Sequence, residues 1–262
     1  MQDVLEKIIA HKREELKSYN FGDIEAQAKE TIRPVISMSR SIRESKKGGI
    51  IAEFKRRSPS KGWIKEEGNP LEIVAGYSAA GAAACSVLTN EEFFGGSLKH
   101  LIAARRVAGD MPLLRKEFII DERQIYEARV AGADAVLLIA ACLTVEECAR
   151  LAAVAHSVDL EVLLEIHSEE ELSHLNENVD MLGVNNRNLG TFITDIQNSF
   201  RLADKMKASG NDIVLVSESG IDAGETIKSL QEVGFSGFLI GETFMKREQP
   251  ADTLTKLIEE IC

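Results

Sequence analysis

The chain predicts an α/β fold, a closed (β/α)8 TIM barrel with an N-terminal helical extension, on three observations. Eight short apolar runs punctuate the sequence, and between most of them lies a stretch with apolar residues at helical spacing. Nearly every run ends in a polar or charged residue, which makes no sense as pure core but does where strand ends converge on one solvated face. The length, 262 residues, is one at which such barrels form a single domain. The expected organisation is one barrel domain over residues 1–262, with residues 1–48 as the extension.

Residues 1–48 stand outside the strand–helix alternation. Val4, Ile8, Ile9 and Leu16 recur at helical spacing among Lys and Glu, which predicts an amphipathic first helix. Two further short helices are expected over residues 21–29 and 39–45, and the apolar stripe favours packing over a loose tail. The barrel strands are read at residues 50–53, 84–89, 112–116, 135–140, 160–165, 181–185, 213–219 and 237–241. Helices are read at 70–80, 97–108, 122–131, 144–158, 168–176, 200–208, 223–232 and 251–261. Gly81, Gly109, Gly132, Gly210 and Gly234 sit just past five of these helices, where a left-handed cap conformation is wanted. Right-handed crossovers between eight parallel strands close them into a barrel. A doubly wound open sheet is the competing topology, but no GxGxxG fingerprint marks a switch point.

The composition excludes several functions. Hydrophobic residues make up 44%, enough for one large core, and charged residues 28%, which argues against disorder. A net charge of -11 disfavours general nucleic-acid binding, which relies on basic stripes. No apolar run approaches the roughly 20 residues of a membrane span, and residues 4–9 are too short a run for a signal peptide. Cys85, Cys142, Cys148 and Cys262 form no CxxC pair or zinc-like cluster, so reduced thiols and a cytoplasmic location are expected. The expected partner is a small-molecule substrate, with no nucleic acid and no membrane. The expected state is a monomer or weak homo-oligomer.

Candidate chemistry lies at the strand ends. Glu53 and Lys55 share a parity on the first strand, so an acid and an amine point the same way. Arg56, Arg57, Ser58, Ser60 and Lys61 follow in a cationic loop, which Pro59 and Gly62 shape. In the third strand Arg115 and Lys116 alternate faces, so one points inward. A lysine at a barrel mouth can be tuned to acid–base or Schiff-base work. Glu165 ends the fifth strand among aliphatic walls, where a raised pKa is expected. His167 lies beyond it in the loop and is expected to face solvent. The sixth strand offers Asn185, a hydrogen-bonding amide, and Arg187, a planar cation suited to a carboxylate. Turns at residues 217–220 and 241–242, after strands seven and eight, are where barrels often bind phosphate through backbone N–H groups. No His pair or Asp cluster has metal-ligand spacing.

IIAEFKRRSPSKG, LLRKEFI, GADAVLLIA, LLEIH, GVNNRNL, VSESGI and FLIGETFM, in this order along the whole chain, resemble the indole-3-glycerol phosphate synthase family. The resemblance implies ring closure of 1-(2-carboxyphenylamino)-1-deoxyribulose 5-phosphate with loss of CO2 and water, in tryptophan biosynthesis. It implies catalytic roles for Glu53, Lys55, Lys116, Glu165, Asn185 and Ser219, with Lys116 as the general acid. It implies a substrate site of Ser58, Phe94, Phe118, Leu137, Arg187 and Leu189, in which Ser58 and Arg187 lie near the carboxylate and Phe94, Phe118 and Leu137 wall the ring. Lys55, Ser219, Gly220, Gly241 and Glu242 match a phosphate cradle, Glu242 through its backbone N–H. Glu117 stands where Asp is more usual, and Asn186 and Asn188 vary a stretch that is often Ser or Asp.

The implied chemistry wants these residue types. An acid on the ketone oxygen makes its carbon electrophilic, which Lys116 does if its pKa is tuned downward. Glu53 and Glu165 stabilise a cationic iminium-like intermediate. No step transfers electrons, so no cofactor and no metal is expected. The competing reading is a Schiff-base aldolase acting on a sugar phosphate, with Lys116 or Lys55 as nucleophile.

Overall fold

The computed structural model describes residues 4–188, 193–209 and 213–262. Leu189 and Gly210, both singled out in the sequence, lie outside the described residues. Three helices come first: α1 (Val4–Ser18), α2 (Ile24–Glu30) and α3 (Met38–Arg43). The barrel strands are β1 (Ile50–Phe54), β4 (Ala84–Leu88), β5 (Leu113–Lys116), β6 (Ala135–Ile139), β7 (Glu161–Ile166), β8 (Met181–Asn185), β9 (Val214–Glu218) and β10 (Gly237–Ile240). Each pairs in parallel with the next, and β10 closes back on β1. A small antiparallel pair, β2 (Arg57–Ser58) and β3 (Gly62–Trp63), folds the loop after β1 into a hairpin.

The outer helices are α4 (Pro70–Ala80), α6 (Leu98–Val107), α7 (Glu122–Ala131), α8 (Val145–His156), α9 (Gln197–Ser209), α10 (Gly224–Glu232) and α12 (Pro250–Ile261). Their starts follow from capping chemistry. Asp121 with Gln124, and Thr144 with Glu147, form capping boxes, while Asn69 caps α4 with Pro70 in its first turn. Gly81 and Gly132 end α4 and α7 in the left-handed conformation. Two one-turn helices, α5 (Glu91–Phe94) and α11 (Glu242–Met245), are inserted after β4 and β10. The helix expected at 168–176 is instead a five-residue 3-10 turn, Glu170–His174. Glu171 folds back to accept the His167 N–H at 2.6 Å, and Asn176 turns to accept from Asn178 N–H, so the span closes before an α-helix can propagate.

Strand parity divides the core in two. Ile51, Leu114, Leu137, Leu163, Met181, Val216 and Leu239 point into the barrel. Ile50, Ala52, Leu113, Val136, Leu138, Val162, Leu164, Leu182 and Phe238 pack outward with the helices. The first three helices cover the barrel rather than trail from it. Ile8 and Ile9 of α1 and Met38 and Ile42 of α3 join the interior cluster. The α3 side is pinned at the N-terminal ends of the strands, where Ser41 Oγ donates to Ala83 O and buried Asp134 accepts from Arg33, Arg105 and two backbone N–H groups. Among the described residues, no helix is long and apolar enough to cross a membrane.

Candidate active site

The inward parity that fills the barrel with Leu, Val and Met continues, one step toward the strand C-termini, as Glu53, Lys116, Glu165, Asn185 and Glu218. These side chains, with Lys55, line one cavity of about 300 Å³ at the mouth, within the usual range of ligand pockets. Phe94, Phe118, Leu137, Ile139 and Leu88 wall one side, with Val4, Leu5 and Ile8 of α1 above. The Phe94 and Phe118 ring centroids are 6.0 Å apart. Ser219, Gly220, Gly241, Glu242, Thr243 and Lys246 line another part of the cavity.

Lys116 is the hub. Its Nζ lies 3.3 Å from Glu165 Oε2 and in close contact with Glu218 Oε2. Burial works against its charge, but Glu218, Glu165 and Glu53 outweigh burial and hold the ammonium well above the ordinary lysine range. The downward tuning expected from the sequence is therefore reversed, because three carboxylates and not another cation surround the amine. Burial alone would also raise Glu165. Lys116, then His167 and the Asn185 amide (Nδ2 to Oε1, 3.0 Å), overcome it and keep the Glu165 carboxyl below its ordinary value. The raised Glu165 anticipated from its aliphatic neighbours is thus also overturned. Glu53 is lowered likewise, since Lys55, at 2.5 Å, and Lys116 outweigh its burial.

The raised carboxyl is Glu218, which in the sequence reads only as part of the turn at residues 217–220. Burial foremost, with the Glu165 and Glu53 charges, pushes it up to about 7 against the pull of Lys116. Two signals could have found it. Glu218 shares parity with Val214 and Val216, and Gly183 interrupts the neighbouring strand, where a Cβ would overlap Glu218 Oε1.

The turn after β9 is also shaped. Ser219 adopts a left-handed φ of 69°, uncommon for a residue with a side chain, and Gly220 follows at 78°. Asn186 Nδ2 donates to Glu218 O, Ser219 O and Ser217 Oγ, so an amide behind the strand holds this turn. Ser199 in turn donates to Asn186 Oδ1. Gly241 is bare for contact reasons, since a Cβ there would overlap the Glu53 carboxylate.

Of the expected residues, Glu53, Lys55, Ser58, Phe94, Lys116, Phe118, Leu137, Glu165, Asn185, Arg187, Ser219, Gly220, Gly241 and Glu242 all border this cavity. The cationic loop does not arrive whole. Arg56 and Arg57 stack on Trp63, 5.3 and 5.6 Å from its ring centroid, while Lys55, Ser58, Pro59 and Ser60 face the cavity. Arg187 spans to Ser60 Oγ at 3.3 Å and Glu242 Oε2 at 3.5 Å. His167, expected in solvent, is mostly buried between Glu165 and Glu171.

The arrangement combines a buried ammonium, one carboxyl poised near neutrality, two ionised carboxylates, an apolar wall and a pair of glycine-bearing turns. It can donate a proton to an oxygen and accept one from carbon within the same cavity. Residues 5–257 match the family described as indole-3-glycerol phosphate synthase. The chain is 56% identical to the indole-3-glycerol phosphate synthase of Bacteroides thetaiotaomicron over 100% of both chains. It is 41% identical to that of Polaromonas naphthalenivorans, over 99% of this chain and 100% of the other. Among solved structures it is similar to the tryptophan synthase subunit alpha of Legionella pneumophila, with a TM-score of 0.61 and 13% identity over 86% of this chain and 96% of that one. It is also similar to a 3-hexulose-6-phosphate synthase, with a TM-score of 0.59 and 14% identity over 82% and 100%. At such identity these two likenesses concern the fold alone.

Proposed function

We infer that this barrel mouth closes an indole ring, from the premise that the chain belongs to the indole-3-glycerol phosphate synthase family. The reaction is a carboxy-lyase step of tryptophan biosynthesis: 1-(2-carboxyphenylamino)-1-deoxyribulose 5-phosphate yields indole-3-glycerol phosphate, CO2 and water. The carboxyphenyl ring lies against Phe94, Phe118 and Leu137, and the phosphate lies at the Ser219–Gly220 and Gly241–Glu242 turns with Lys55. Anchoring both ends of the substrate brings the ring carbon to the ketone and removes the entropic cost of that encounter. The Glu242 carboxylate is engaged by Arg187, which supports a backbone role for Glu242 at the phosphate.

Lys116 donates a proton to the ketone oxygen as the ring carbon attacks the ketone carbon. The oxygen becomes a hydroxyl, and the ring carries an iminium-like positive charge. Glu53 and Glu165, ionised and fixed in place, stabilise that charge. Loss of CO2 from the ring carbon that made the new bond returns the electron pair to the ring. Glu218, in contact with Lys116 and titrating near neutrality, returns a proton to Lys116 for departure of the hydroxyl as water. Glu165 takes the carbon-bound proton whose loss completes the indole, and Asn185 orients it. Ser219 acts through its turn, with Ser58 and Arg187 toward the substrate carboxylate.

One observation carries this reading: the ammonium on β5 meets carboxylates from β7 and β9 between an apolar wall and two glycine turns. It also weighs against the aldolase alternative. A Schiff-base nucleophile must be a neutral amine before it attacks, whereas Lys116 rests as an ammonium among three carboxylates and Lys55 lies 2.5 Å from Glu53. We read the enzyme as cytoplasmic and as a monomer or weak homo-oligomer without nucleic-acid or membrane partners, on its acidic net charge and unpaired cysteines. The test is incubation with the carboxyphenylamino ribulose phosphate, following indole fluorescence. Turnover without added metal or nucleotide is expected, and no product over hours at micromolar enzyme would overturn the assignment.

A further inference from the structure

We propose that His167 is a positioning residue of the ring closure: its imidazole, wedged between Glu165 and Glu171, aims Glu165 at Lys116 and keeps that carboxylate as the proton acceptor. The proposal rests on the ring-closing role of Glu165 argued above.

His167 follows β7 with the parity of Glu165, so it turns to the same side. Its Nε2 lies 3.5 Å from Glu165 Oε1 and its Nδ1 3.6 Å from Glu171 Oε2. Both ring nitrogens are buried, and neither has a hydrogen-bond partner in the described structure. A neutral imidazole so placed would present its single N–H to one carboxylate and leave the lone pair of the other nitrogen facing an anion, whereas an imidazolium presents one N–H toward each carboxylate. The backbone holds the ring there: His167 N donates to Glu171 at 2.6 Å, and Asn198 Nδ2 from α9 donates to His167 O at 3.0 Å.

The surroundings of the ring are anionic or neutral. Glu165 faces it from β7, Glu171 from the following 3-10 turn and Glu218 from β9, while Cys142 after β6 is held protonated by burial. Burial disfavours the imidazolium, but Glu171, Glu165 and Glu218 outweigh it and raise the His167 pKa above the ordinary value. Lys116 lies on the other carboxylate oxygen of Glu165. Glu165 is therefore clamped between two cations and one amide. With His167 gone, burial gains on Lys116 alone and the carboxylate takes up a proton at higher pH.

Two measurements test this. The first is an NMR titration of the His167 imidazole, assigned by comparison with His167→Gln. The imidazolium is expected to persist above the ordinary histidine range in the wild type and to titrate at lower pH in both Glu165→Gln and Glu171→Gln. The second is the kcat–pH profile of His167→Gln. Its acid limb is expected to move up by about half a pH unit or more, a threefold change in the ionised fraction there. Alkaline kcat should recover, with KM within about twofold of wild type. If His167→Gln does not fold, Glu171→Gln, altered on the outer side of the ring, should move the limb the same way. An imidazole indifferent to both glutamate substitutions, or a variant profile parallel to wild type at every pH, overturns the proposal. An inactive wild type would instead defeat the ring-closure reading, with the imidazole titration still measurable.

Discussion

Lys116 has a position, a charge state and a set of neighbours, and each was legible to a different degree. That it points inward follows from alternation with Arg115, whose guanidinium instead packs outward against Gln124 O and Glu127. Its charge state does not follow, because it depends on three glutamates between about 50 and 100 positions away in the chain. We expect Lys116→Ala to lower kcat by about 10²-fold or more, the usual contribution of a general acid, measured by indole fluorescence at saturating substrate. Glu218→Gln should lower kcat and abolish the limb near pH 7 in the rate profile, since the group titrating at about 7 is gone. A retained limb at that pH would assign it to another residue. Asn186 matters through the backbone. Asn186→Ala strips Ser219 O of its donor and leaves Glu218 O with only the backbone N–H of residue 186, a loss of about 1–3 kcal/mol on the scale of buried unsatisfied groups, visible as a lower urea midpoint.

At the scale of elements, α1 ties the extension to the site. Lys12 is buried on the same face as Ile8, Ile9 and Leu16, and its Nζ lies 3.4 Å from Glu117. Glu117 also accepts from Thr89, Asn90 and Phe118 N–H, so one carboxylate joins α1, the end of β4 and the residue beside Lys116. The departure from the usual Asp at this position supplies the reach that Lys12 meets. Further along, Tyr19 donates to Glu127, which pairs with Arg115 behind the same strand. Lys12→Ala leaves Glu117 buried without its cation and should cost about 3 kcal/mol, the lower end for breaking a buried pair, read by urea unfolding. An unchanged midpoint would show that Glu117 is satisfied by its neutral donors alone. The apolar stripe of α1 was readable from residue spacing. That it covers the mouth while α3 covers the opposite end was not, because stripe spacing specifies a face and not what it meets.

For the whole molecule, the buried charges set the pH dependence of stability. Glu218 and His167 both have folded pKa values above their ordinary ones. In the window from the unfolded to the folded value, the native state binds more protons, so stability falls as pH rises through it. Glu53 and Glu165, lowered in the fold, act oppositely, but their contribution is complete above about pH 4.5 and is lost only on acidification below it. Lys116, raised, loses nothing below its unfolded value of 10.5. The protein is therefore expected to have a higher urea midpoint at pH 6 than at pH 8.5, and Glu218→Gln should shrink that difference. A midpoint flat between those two pH values would contradict the burial of both groups.

The parallel barrel, its strand positions to within a residue, and the identities of most mouth-lining side chains were readable from the chain alone. Those properties are carried by local periodicity, by polar residues ending apolar runs, and by the seven ordered motifs. The protonation of the site follows instead from the folded arrangement, with Lys116 raised, Glu165 lowered and Glu218 raised to about 7. That arrangement also decided the burial of His167, the withdrawal of Arg56 and Arg57 onto Trp63, and the seating of α1 over the cavity. The physical reason is range. Strand parity and caps are settled by neighbours within a few residues, whereas a charge responds to every group within several ångströms, and barrel closure brings those groups together from strands far apart in the chain.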